Sequence, residues 1–167
     1  MKKLLFAIMI VLCFTGAQAQ KKSWNFLKGE KALNVLLDYS EAQMDYRDAE
    51  SFFELKNAKD PDYQEKYESE TLVKFVRSVN KSLTSGIAVV FDSKNANYLL
   101  TIKVVSVDRN GNINATILIS KMDTAETLAQ FSAKVEGGHF GSFANLSKDG
   151  MNNLGTYVGK YISKKMK

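Results

Sequence analysis

Three alternating runs constrain this chain more than anything else in it. Tyr98, Leu100, Ile102 and Val104 form the first, Ile113, Ala115, Ile117 and Ile119 the second, and Ala129, Phe131, Ala133 and Val135 the third. Period-two alternation marks strands with one buried face. Asn110-Gly111 separates the first two runs, and Asn-Gly is a strong signal for a two-residue hairpin turn with φ > 0 at both positions. Such a turn sets Val104 opposite Ile117 and Ile102 opposite Ile119, so apolar meets apolar. The next connection, Met122 to Glu126, should have an odd number of loop residues to keep the apolar sets on one face. The interleaved residues Asn114, Thr116, Ser120, Gln130, Ser132 and Lys134 are polar, so the other face of this meander is expected to stay open to water.

The amino terminus reads as an export signal. Lys2-Lys3 is a basic n-region, Leu4 to Phe14 an apolar h-region too short to span a membrane, and Ala17-Gln18-Ala19 a cleavage site. Cys13 follows Leu12 rather than the small residue a lipoprotein signal prefers. The expectation is therefore a signal peptide over 1–19 and one soluble domain over 20–167, with no transmembrane segment after cleavage. Cleavage removes the sole cysteine, which excludes thiol catalysis, thiolate metal sites and disulfides from the mature chain.

Charge is unevenly spread. Asp38 to Glu70 carries eleven acids against four bases, and Thr71 to Lys167 thirteen bases against six acids. Packing of the two halves against each other, or solvated helix faces, accounts for this. A nucleic-acid binder needs a basic stripe interleaved with aromatics, and none is evident.

Around the meander, Leu33, Val35, Leu37 and Tyr39 predict a first strand, with Trp24 and Phe26 tucking the terminus against the core. Asp48 with Ser51, or Ser40 with Gln43, starts a short helix carrying Phe52, Phe53 and Leu55 inward. Asp60-Pro61-Asp62 opens a longer helix whose stripe is Leu72, Phe75, Val76, Val79 and Leu83. Ile87 to Phe91 reads as a strand buried on both sides. A last helix from about Ser147 carries Met151, Leu154, Val158, Tyr161 and Ile162, with Gly155 and Gly159 set for close approach to the sheet. The order β-α-α-β-β-β-β-α predicts a two-layer α+β fold, a mixed and mostly antiparallel sheet with helices on one face.

Two candidate sites follow. The loop Gly137, Gly138, His139, Gly141 and Ser142 precedes the last helix, where free backbone N–H groups would suit an anion. It lacks the spacing and lysine of a phosphate loop, and the competing reading is a sharp exit from the sheet anchored in the core by Phe140 and Phe143. Asp38, Glu41, Asp45 and Asp48 follow the first strand and are candidates for acid and base work, although their spacing matches no calcium loop. His139 is the only histidine, so no histidine pair can hold a metal. No metal or cofactor is expected.

Leu36-Leu37-Asp38-Tyr39-Ser40, Tyr98-Leu99-Leu100 and the stretch from Gly137 through Leu146 to Asp149-Gly150-Met151 resemble an uncharacterised family of small exported bacterial proteins of the Bacteroidetes type. That resemblance implies export and carries no activity onto any residue. More remotely, the element order is similar to small envelope domains such as the amino-terminal domain of TolB and LpoB, which implies an assembly or regulatory module. The expected function is a non-catalytic periplasmic or secreted binding module acting on a protein or other envelope component. The alternative is a small hydrolase using the carboxylates on an envelope or extracellular glycan.

Overall fold

The computed structural model of the chain describes residues 24–167. The expected signal segment, residues 1–19, lies outside the described residues. After a single helical turn at Asn25–Leu27 come β1 (Ala32–Asp38), β2 (Gln43–Met44), β3 (Arg47–Asp48), α1 (Ala49–Asn57), α2 (Tyr63–Ser82), β4 (Ala88–Val90), β5 (Tyr98–Val107), β6 (Ile113–Lys121), β7 (Thr127–Val135) and α3 (Phe143–Lys165). The fold is the expected α+β, with a short β2–β3 hairpin added to the predicted order.

In the sheet β1 lies between β4 and β5 and is parallel to both. β5, β6 and β7 form the antiparallel meander. β2 pairs with Ser106 and Val107, prolonging β1 along the same edge of β5. The inward residues of the meander, Leu100 and Ile102 through Ile119 to Ala133, are buried, and each large one contributes about 1.5–3 kcal/mol of transfer free energy. Gln130, Ser132 and Lys134 face solvent on the other side.

The register differs from the expected one by two residues. Ile102 pairs with Ile117, and Val104 with Ala115. The turn is longer than Asn110-Gly111. Asp108 N–H donates to Asn112 O at 3.0 Å, and Gly111 N–H donates to Asp108 O at 2.9 Å. The Asp108 carboxylate accepts from the backbone N–H groups of Asn110 and Asn112 and from the Asn112 side-chain amide. Gly111 alone takes a positive φ there, +74°. Val105, half exposed, is the bulge that restores face matching. A shift of two keeps every side chain on its face, which is why the burial pattern matches while the pairing does not. The Met122–Glu126 connection has five residues between the strands, but they leave it with Ser120 opposite Thr127, and a bulge at Leu128, not the loop length, brings the apolar sets onto one face.

β4 was expected to be buried on both faces, but only one is: Ala88 and Val90, which point away from the helices, are half-buried, and the strand lies at the sheet edge, pairing only with β1. Val89 is buried and Phe91 half exposed. The loop from β4 to β5 then passes over β1 on the otherwise open face. There the buried Asn34 clamps it: its side-chain amide donates to Ser93 O at 3.0 Å, and its Oδ1 accepts from Ser93 N–H at 2.7 Å. A loop backbone taken out of water needs such partners.

The helices form one layer on the apolar face. α2 and α3 run parallel and in step. Glu70 pairs with Lys148, Ser78 bonds Asn152, and Ser82 O accepts from Ser163 Oγ. Gly155 and Gly159 make this possible, and the neighbour they approach is α2, not the sheet. A Cβ on Gly155 would sit 2.5 Å from Phe75 O, and one on Gly159 2.7 Å from Val79 O.

Helix ends refine the sequence reading. Asp48 caps α1 by accepting from Ser51 N–H at 2.8 Å, and Phe52 and Phe53 are buried as expected. Leu55 is exposed because it falls on the outer side of that one-sided helix. α2 starts at Tyr63, after Pro61, and its side-chain cap comes from Asn57, whose Oδ1 accepts from Gln64 N–H at 3.0 Å. Asp60 pairs with Lys66 instead. α3 begins a turn earlier than expected, with Ser142 as its cap; Ser147 lies inside the helix, buried, donating to Phe143 O. Trp24 is buried against Phe26, Phe131 and Tyr161, as predicted.

Candidate functional site

The four carboxylates at the end of β1 and just after it are each engaged by a neighbouring group. Asp38 accepts from Ser40 N–H at 2.9 Å, and hydrogen bonds from the Ser40 hydroxyl and backbone hold its pKa below the usual range, with Lys103 adding to them. Glu41 pairs with the same Lys103, and Asp45 with Arg109 at 3.1 Å. Asp48 caps α1, and the Ser51 backbone N–H and hydroxyl hold its pKa low. Lys103 thus pairs with Glu41 and lends its charge to Asp38, while Asp45 braces the β2–β3 turn and Asp48 caps α1. A general acid near neutral pH needs a raised pKa, and Asp38 and Asp48 are shifted the other way.

A cavity of about 410 Å³ lies nearby, between the end of β1 and helices α1 and α2. Tyr39 and Phe53 form its apolar wall, and Glu50, Glu54 and Glu68 line it, with none of the four carboxylates above. Glu50 and Glu54 stand four apart on α1, a spacing that would have placed them on one face.

The glycine-rich loop is shaped by what it packs on. Gly137 donates its N–H to Asn112 Oδ1 at 2.8 Å, and a Cβ there would fall 2.1 Å from Asn110 O. The loop therefore presses on the β5–β6 turn. Gly138 N–H reaches Leu146 O at 3.3 Å, and Gly141 takes φ +127°. Ser142 Oγ accepts from Asn145 N–H. His139 is exposed. Phe143 packs against Phe52 and Tyr67, but Phe140, expected in the core, is 92% exposed. Gly138 and Gly141 turn the chain around it, so its ring projects from the tip.

A second aromatic stands out at the same end. Tyr46 is 80% exposed, and with Phe140 it far exceeds the other exposed large apolar residues among those described. Asp45 and Tyr46 close the β2–β3 hairpin with φ of 47° and 68°, a left-handed pair without glycine. For L-residues this costs about 1–2 kcal/mol each. Strain of this kind gathers at functional positions. The Arg109 guanidinium lies 5.7 Å from the Tyr46 ring while its Nε holds Asp45. One pole of the molecule thus joins the β2–β3 turn, the Asp108–Asn112 turn and the Gly137–Ser142 loop. The sequence reading missed Tyr46, since an Asp-Tyr pair gives no signal for this turn.

No family model and no curated protein matches the chain. Solved structures do resemble it. A Xanthomonas campestris protein of family DUF330 shares 11% identity at a TM-score of 0.44, over 81% of this chain and 84% of its own. PelC of Paraburkholderia phytofirmans, a dodecamer, shares 13% at 0.40, over 77% and 88%. The C-terminal domain of LpoB from Salmonella enterica shares 12% at 0.30, over 69% and 91%. At these scores the likeness carries no argument about activity or assembly. No helix among the described residues is long and apolar enough to cross a membrane.

Proposed function

We propose that residues 20–167 form a single-domain, non-catalytic accessory module of the bacterial envelope, exported by its amino-terminal signal and binding a protein partner through the aromatic pole. The observation that carries this reading is the pair of projecting rings, Tyr46 and Phe140, on a framed and strained surface. Tyrosine and arginine are the residues enriched at interface hot spots, and rings held on a rigid frame lose little entropy on binding. The loop Gly137, Gly138, His139, Gly141 and Ser142 is the stalk of this surface, and His139 adds a polar group beside Phe140.

Tyr46→Ala with Phe140→Ala is the test, in the mature chain, against envelope extract after chemical cross-linking. The wild type should yield a discrete protein adduct that the double variant loses at an unchanged melting temperature. Equal adducts from both chains, or none from the wild type, would overturn the reading.

A further inference from the structure

The opposite pole carries a second surface. Because α2 and α3 are parallel, both helix C-termini end there, near the start of β1 and β4. Lys81 lies in the last turn of α2, and Lys164 and Lys165 in that of α3. Lys28, Lys31 and Lys167 flank them. None of these six forms an ion pair among the described residues. The intervening stretches 28–31, 81–88 and 160–167 hold one acid, Glu30, whose carboxylate accepts from Asn97. Two helix ends supply only about one unit of negative charge together. The lysines exceed what the helix ends and Glu30 neutralise by several charges.

At the centre of this pole is a cavity of about 300 Å³ lined by Lys28, Gly29, Thr84, Ser85, Ser163 and Lys167, among others. The Ser85 hydroxyl is shielded from water and has no hydrogen-bond partner. A hydroxyl taken out of water without a partner is costly, so an acceptor brought to it is favoured. We infer that this cavity takes a phosphate group, held by the Lys28 and Lys167 ammonium groups and by a hydrogen bond from the Ser85 hydroxyl, with the surrounding lysines drawing in the anionic surface or molecule that bears it. Lysine meets phosphate as a point charge and needs no fixed fork geometry. This goes beyond the protein-docking reading and rests on the other end of the molecule.

The bearer is either an anionic lipid headgroup or a free phosphate ester, and two probes separate them. Mature protein is floated with vesicles of phosphatidylglycerol and phosphatidylcholine, and with vesicles of phosphatidylcholine alone. In parallel, amide shifts of Gly29, Ser85 and Lys167 are followed during titration with inorganic phosphate and with glycerol phosphate. Selective flotation with the anionic vesicles, falling about fivefold for each of Lys28→Glu and Lys167→Glu, supports a lipid source. Amide shifts without flotation support a soluble ester. In either case Ser85→Ala should weaken the response while keeping the melting temperature. Equal flotation on both vesicles with no amide shifts overturns the inference. So does anionic flotation unaffected by Lys28→Glu and Ser85→Ala, which would leave a diffuse charge effect and no phosphate site.

Discussion

Asn34 shows how one polar side chain can decide a crossing. The Phe91–Asn97 connection must pass over β1, and Asn34 supplies both a donor and an acceptor to Ser93 there. Asn34→Ala leaves both Ser93 groups without these partners, and equilibrium urea unfolding should show a loss of about 1–3 kcal/mol. Nothing in Leu33-Asn34-Val35 announces this, because alternation only says that Asn34 points away from Leu33. Asp48 was legible, since a cap and a serine three residues on form a local pattern. Its pKa also has a measurable consequence. A carboxyl whose folded pKa is lowered stabilises the fold above its unfolded value of about 3.9 and loses that contribution as pH falls through the lowered value. Asp48→Asn keeps a capping side chain, so the melting temperature should change little at pH 7 while its decline below about pH 4 becomes shallower. An unaltered acid limb would contradict the assignment.

Elements were read more easily than their contacts. Alternation fixed which residues of β5, β6 and β7 face inward, because parity survives a two-residue slip. It could not fix the pairing, which depends on the hydrogen bonds of Asp108 and the bulge at Val105. The left-handed two-residue turn sits at Asp45-Tyr46, where composition argues against it, and Asn110-Gly111 belongs to a longer turn. The helices show the same limit. Gly155 and Gly159 read as close-approach positions, but only the tertiary arrangement shows that α2 is what they approach. Gly155→Ala is the sharp test. Alanine gains about 1 kcal/mol of helix propensity, yet its methyl meets Phe75 O and the backbone of Val79. Overpacking of that kind costs about 1–3 kcal/mol, so the melting temperature should fall despite the better helix former.

For the whole molecule, α3 separates the two proposed surfaces. Its 23 residues place the glycine-rich loop and the lysine pole about 34 Å apart. Changes at one end should therefore leave the other unaffected. The candidate sites were only partly legible because each gathers residues from distant stretches: Tyr46, Arg109 and Phe140 at one end, Lys28, Ser85 and Lys167 at the other. The proposed export rests on the amino-terminal sequence. Intact-mass measurement of protein secreted by a native-like host should give a chain beginning at Gln20, and retention of Met1 would refute the signal.

The parallel pairing of α2 with α3 also bears on how the chain reaches this state. Neighbouring helices that run the same way cannot be joined by a short turn, and here the whole of β4 to β7 intervenes. Residues that meet across the seam lie 74 to 81 apart in sequence, so the chain entropy of closing that loop must be spent before the glycine seam returns anything. The meander, with its local hairpins, can assemble first. The seam then forms late, and loosening it should hasten unfolding far more than it slows folding.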